Sequence, residues 1–170
     1  HTYSASGSYT VSLTITNIFG CQDTRIQTNV IQVLTDPSAQ FTSSDQAGCA
    51  PLTVNFTNSS TPGSYPLSSW EWDFANGSSS NFTNAVETFS VPGNYQVSLI
   101  ATDDFGCKDT VSQTITVYQS PSVNFIASDS AGCAPVSLQF LDQSSQGDAP
   151  ISSWVWDFGD GNGSTLQFSN

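Results

Sequence analysis

Pro92-Gly93-Asn94-Tyr95-Gln96-Val97-Ser98-Leu99-Ile100-Ala101-Thr102-Asp103 is the stretch that decides the fold. Tyr95, Val97, Leu99 and Ala101 fall on one face; Gln96, Ser98 and Thr102 fall on the other. Alternation of this kind after a Pro-Gly turn is the signature of a strand with one buried side. Tyr9, Val11, Leu13 and Ile15 repeat it against Thr10, Ser12, Thr14 and Thr16. Leu52, Val54 and Phe56 form another one-sided strand, matched by Val136, Leu138 and Phe140. Trp70, Trp72 and Phe74 share a face, as do Trp154, Trp156 and Phe158. Ile115 and Val117 close the series, matched by Ile31 and Val33. No stretch carries the period and the caps of an amphipathic helix. Short one-sided strands at regular spacing predict an all-β chain of antiparallel, immunoglobulin-like β-sandwiches.

The matches have a fixed period. Trp70-Glu71-Trp72-Asp73-Phe74 returns as Trp154-Val155-Trp156-Asp157-Phe158, 84 residues on. Ala47-Gly48-Cys49-Ala50-Pro51 returns at Ala131 with the same shift. Gly7-Ser8-Tyr9-Thr10-Val11-Ser12-Leu13 and Phe19-Gly20-Cys21-Gln22-Asp23-Thr24 return 86 residues on, at Gly93 and Phe105. That period is a whole small domain, longer than a solenoid unit. Boundaries are expected near Asp36-Pro37 and Ser120-Pro121. Residues 1–35 then read as the back half of one domain, 36–119 as a complete domain and 120–170 as the front half of a third.

In the middle unit, strands are expected near 39–44, at 52–58 and 69–74, around 80–83 and 86–90, and at 95–102 and 109–118. Cys49 is placed in a loop. A half-sandwich alone cannot bury its apolar face. Either the chain is a window on a longer array, which is the preferred reading, or front and back halves meet between copies by strand complementation.

The chain of 170 residues has 14 acidic and two basic residues, for a formal charge of −12. Such a surface repels phosphate backbones and anionic membrane surfaces, which argues against nucleic-acid and membrane partners. No segment is long and apolar enough for a membrane helix. A signal for export is expected to lie outside residues 1–170. The acidity reads as solubility rather than metal binding, because no ligand cluster has metal spacing.

The string Trp154-Val155-Trp156-Asp157-Phe158-Gly159-Asp160-Gly161, taken with Pro92–Asp103, resembles the PKD (polycystic-kidney-disease) repeat. The Gly-Cys-Ala-Pro and Phe-Gly-Cys-x-Asp-Thr elements resemble the tandem variant of large bacterial surface and secreted proteins, including adhesins. The resemblance spans nearly the whole chain. It implies a PKD-like β-sandwich serving as spacer, stalk, fibre or adhesive module, without catalysis and outside the cell. The alternative is an accessory module gripping carbohydrate or protein for a larger secreted protein. In the middle unit Ala75-Asn76-Gly77 departs from Gly159-Asp160-Gly161, so a role needing both aspartates fails there.

Some PKD-like domains bind calcium, which makes Asp157 and Asp160 candidate ligands. The favoured reading is that these carboxylates fix a turn, since calcium wants six or more oxygens. No other cofactor is expected. Trp72, Phe74, Tyr95, Trp156 and Phe158 form the core signature; a sugar-stacking role for the tryptophans is the lesser reading. The only histidine is His1, so no catalytic triad can be assembled and no catalytic residue is expected. Acidic pairs such as Asp103-Asp104 are expected to be solvated.

Cys21, Cys49, Cys107 and Cys133 stand at equivalent places, two per period, and read as disulfide cysteines of an exported protein. In the expected topology Cys49 and Cys107 lie at opposite ends of the sandwich. Bridges are therefore expected between neighbouring repeats, with Cys49 to Cys107 as the alternative. Partners are adjacent repeats or further copies in a fibre, with a surface glycan or protein ligand also open. Asn58, Asn76 and Asn162 fit the N-glycan acceptor pattern, as do Asn55 and Asn81. Thr110 and Ser130 fit an Asp-Ser/Thr-apolar O-glycan pattern; an unmodified surface is slightly favoured.

Overall fold

The computed structural model describes residues 1–166; the last four residues of the expected third segment lie outside them. The described chain is all β. Its contacts divide it into two compact units, one of residues 1–44, 55–85 and 96–113, the other of residues 45–54, 86–95 and Thr114 onward. Fourteen strands run in order: β1 Gly7–Thr16, β2 Gln22–Val33, β3 Phe41–Ser43, β4 Ala47–Cys49, β5 Leu52–Asn58, β6 Leu67–Asp73 and β7 Ser79–Ser80. They continue as β8 Ala85–Phe89, β9 Gly93–Asp103, β10 Lys108–Tyr118, β11 Phe125–Ala127, β12 Phe140–Asp142, β13 Trp156–Asp157 and β14 Gly163–Ser164.

The middle of the chain builds an immunoglobulin-like β-sandwich. One sheet has the order β4-β10-β9-β6-β7 and the other β3-β5-β8. Val97, Leu99 and Ala101 are fully buried, as their alternation predicts, and Ile115 and Val117 on β10 are buried as well. The sheets face each other through aromatic rings. Phe41 and Phe56 lie 5.1 and 5.7 Å from Trp72, and Phe56 lies 5.6 Å from Phe74. Offset and edge-on rings at such distances add about 0.5–1.5 kcal/mol per pair beyond their burial. The Trp72 indole N–H donates to the Phe82 carbonyl at 2.9 Å, so its one polar atom is satisfied. Tyr95 donates its hydroxyl to the Val91 carbonyl at 2.7 Å, tying strand β9 to the turn before it.

Two expectations need correction. Ala47–Cys49 is not loop: it pairs in parallel with β10, Ala47 against Thr116 and Cys49 against Tyr118. Three residues of Ala-Gly-Cys show no alternation, and backbone pairing alone makes the strand. Asp103 is not solvated either. It is 2 % exposed, and its Oδ1 accepts N–H bonds from Phe105, Gly106 and Cys107 at 2.9–3.0 Å. The carboxylate closes the β9–β10 turn from inside, while Asp104 is exposed.

The N-terminal segment is a hairpin of β1 and β2, registered from Gly7–Val33 to Thr16–Gln22, with an irregularity after Tyr9. Its closing turn repeats the middle design with a neutral residue: Asn17 Oδ1 accepts from the Phe19 and Cys21 N–H groups. In the C-terminal segment β11 pairs with β12 and β13 with β14.

Candidate functional site

The chain's chemistry concentrates at the joints and turns. Before the middle sandwich, the Thr35 N–H donates to Ser64 Oγ at 2.9 Å and the Ser64 N–H donates to the Thr35 carbonyl at 3.1 Å. After it, the Gln119 N–H donates to Asp148 Oδ2 at 2.6 Å and the Asp148 N–H returns to the Gln119 carbonyl at 3.3 Å. The residue types differ and the pairs of bonds are the same. Gly63 and Gly147 make the close approach feasible. A β-carbon at Gly63 would stand 2.2 Å from the Thr35 carbonyl oxygen, and one at Gly147 2.3 Å from that of Gln119. Thr35 and Gln119 are thus each clamped to the loop that follows.

All four cysteines are free thiols, Cys21, Cys49 and Cys133 exposed and Cys107 half-buried. Cys49 pairs with Tyr118, at the far end of strand β10 from Cys107. Ten residues of extended strand cover roughly 33 Å, whereas a disulfide holds its Cα atoms within ~7 Å. Partial burial pushes the Cys107 thiol above its usual range, and the Asp103 and Asp36 carboxylates beside it add to the effect. Cys49 lines a shallow cavity with Tyr118, Pro121, Ala149 and Pro150. There the Ser120 hydroxyl donates to the Ala50 carbonyl at 3.0 Å.

Asp157 and Asp160 sit in tight turns. Asp157 Oδ1 accepts from the Gly159 N–H at 2.9 Å; Asp160 accepts from the Asn162 N–H at 2.9 Å and from its amide at 3.1 Å. Those bonds, the backbone one first, hold the Asp160 carboxyl below the usual carboxylate range. Asp73 and Asn76 do the same in the middle unit, accepting from Ala75 and Ser78. No group of three or more His, Cys, Asp or Glu side chains with metal-binding geometry occurs among the described residues.

Trp72 and Phe74 are buried in the middle core, with Tyr95 half-buried at its edge. Their counterparts differ: Trp156 is half-buried and Phe158 is 37 % exposed. Thr110, Ser130, Asn76 and Asn162 are exposed and Asn58 half-buried. Asn76 Oδ1 accepts from the Ser78 N–H and hydroxyl, which engages its amide locally. Asp109 carries a role that its pattern does not reveal. Its carboxylate accepts the Ala39 N–H at 2.8 Å, fastening the start of the domain to β10.

The family model of the PKD domain matches residues 34–117. The chain is also 34 % identical to the PKD1 domain of the Vibrio cholerae metalloprotease PrtV, covering 49 % of this chain and 98 % of that one, with a TM-score of 0.44. The chain belongs to the PKD family. The PKD1 domain of Vibrio anguillarum Epp is 32 % identical, over 50 % of this chain and 96 % of that one, with a TM-score of 0.45. Among curated proteins, pre-pro-metalloprotease PrtV of Vibrio cholerae serotype O1 is 38 % identical over 66 residues, or 39 % of this chain. The chain spans only 7 % of the length of that relative. The PKD domain is a non-catalytic type of module, and the matched residues here build the middle sandwich.

Proposed function

We propose that this chain is a non-catalytic structural segment of an exported bacterial protein, a stalk, fibre or adhesin at the cell surface. Its PKD-like domains follow one another in tandem at 84 to 86 residues, with 1–35 and 120–170 as parts of neighbours of the 36–119 domain. The observation that carries this reading is the recurrence of the clamp: Thr35 with Ser64, then Gln119 with Asp148, each 84 residues apart. A linker tied back at two bonds keeps successive modules from swinging freely. Nothing in the reading requires a cofactor, and calcium at Asp157 and Asp160 is not needed to hold their turns.

The partners are adjacent repeats. An accessory module that grips glycan is less favoured, because the best stacking rings, Trp72 and Phe74, are taken up by the core. Electron microscopy of the native material is the test. Long filaments of even width are expected, and compact particles would overturn the reading.

A further inference from the structure

The tripeptide Asn-Gly-Ser occurs twice, as Asn76-Gly77-Ser78 and as Asn162-Gly163-Ser164. The letters are identical, and the fold holds the two asparagines differently. An asparagine side-chain amide is an electrophile within reach of the next residue's backbone nitrogen. Glycine leaves that nitrogen least hindered, since it has no β-carbon. Attack on Cγ turns the amide oxygen into an oxyanion, so hydrogen-bond donors already aimed at that oxygen favour the reaction.

Asn76 lies in the turn between β6 and β7, where Ala75, Asn76 and Gly77 are all exposed. Its Oδ1 accepts two bonds from one residue: the Ser78 N–H donates at 3.0 Å and the Ser78 hydroxyl at 2.6 Å. Both donors stand where the negative charge develops. The residues on either side hold positive φ, +58° at Ala75 and +93° at Gly77. Left-handed backbone at a residue with a β-carbon stores strain in the turn. A β-carbon at Gly77 would meet nothing within 4 Å, so this side of the turn is open to water.

Asn162 is held the opposite way. Its side-chain nitrogen donates to Asp160 Oδ2 at 3.1 Å. A carboxylate beside the amide opposes a growing negative charge on the amide oxygen. Gly163 belongs to strand β14 and pairs with Asp157. A β-carbon there would stand 2.5 Å from the Trp156 carbonyl oxygen, so the backbone that carries the attacking nitrogen is packed as well as paired.

We propose that Asn76 is a site of self-modification, at which the Gly77 nitrogen displaces the side-chain amide nitrogen and water then leaves a carboxylate in the turn between β6 and β7. The bond from the Gly77 nitrogen to Asn76 Cγ forms first. The bond from Cγ to the amide nitrogen breaks, and the proton lost by Gly77 leaves with that nitrogen as ammonia. The product is a five-membered succinimide. One water molecule opens it, giving aspartate if it adds at the side-chain carbonyl carbon and isoaspartate if it adds at the backbone one. The sum is one water consumed and one ammonia released, with nothing oxidised or reduced. The aspartate product is the residue type that the later unit already has at this place. Asp160 is the counterpart of Asn76 and accepts the Asn162 N–H, as Asn76 accepts that of Ser78. The middle turn thus acquires the charge of its counterpart with age, without any change in the encoded sequence.

The test uses the purified 170-residue chain, incubated in mildly alkaline buffer both folded and in concentrated urea, with each site followed by peptide mass spectrometry. In the folded chain the Asn76 peptide should pass through the loss of ammonia to the mass of the acid several-fold faster than the Asn162 peptide. In urea the two identical tripeptides should react at the same rate. Ser78→Ala should slow Asn76 several-fold in the folded chain and change nothing in urea, while Ser78→Thr, which keeps the hydroxyl, should preserve the rate. Equal rates at Asn76 and Asn162 in the folded chain, or a folded-state rate indifferent to Ser78→Ala, would overturn the proposal.

Discussion

The middle sandwich and the two ends are written in nearly the same residues and reach opposite states. Leu99 has no exposed surface and Leu13 has two thirds of its own in solvent; Phe74 is buried and Phe158 is not. The alternation that marks a strand is identical in both. Burial depends on a second face that closes over the first. The motif therefore specifies a surface to be covered, and in the middle sandwich Phe41 and Phe56 of the other sheet cover Trp72.

The largest effect that sharpens this contrast is at the tryptophans. Trp72→Ala should cost about 3–5 kcal/mol, enough to remove most of the stability of a small domain. Trp156→Ala should leave the urea unfolding curve of the middle sandwich unmoved in dilute monomer. Equal losses from the two substitutions would erase the distinction between them.

A smaller effect lies in the turn after each tryptophan strand. Ala75 holds φ at +58°, whereas its counterpart Gly159 holds +76° without a side chain. A left-handed backbone costs a residue with a β-carbon about 1–2 kcal/mol. Ala75→Gly should therefore stabilise the middle sandwich by about 1 kcal/mol, offset in part by the freer unfolded chain. A lower denaturation midpoint for Ala75→Gly would show that the turn is not strained.

The smallest effect is electrostatic. Asp160 titrates below the usual carboxylate range because Asn162 donates to its ionised form. Its folded value lies below its unfolded value, so its contribution to the turn is present above the unfolded value. That contribution is lost as pH falls through the folded one. Carboxyl titration by NMR should place Asp160 below a model aspartate, and Asn162→Ala should bring it back up. Asn76, at the same place in the middle unit, is an amide and does not titrate.

Much of the fold was legible because period-two alternation is a direct record of a half-buried strand. The β5 strand at Leu52–Asn58 and the buried face of β9 could be read from residues alone. The parts that were not legible share a physical reason: they are made by the backbone or by interchangeable acceptors. Strand β4 has no side-chain pattern, only hydrogen bonds to β10. The joints use a serine hydroxyl in one place and an aspartate carboxylate in the other, so comparison of letters shows no match where the bonds match. Asp103 looked like a solvated turn residue because an acidic pair on a hairpin ordinarily is. The signal that could have exposed it is Asn17 at the equivalent place, a second side chain able to accept the same turn N–H groups.

The parallel pairing of β4 with β10 bears on tension. Strand β4 lies close to the point where the chain enters the domain, and β10 ends where it leaves. Because the two run side by side in the same direction, a pull on both ends drags them past each other. The bond from the Thr116 N–H to the Gln46 carbonyl and that from the Ala50 N–H to the Tyr118 carbonyl then bear load together instead of opening one at a time.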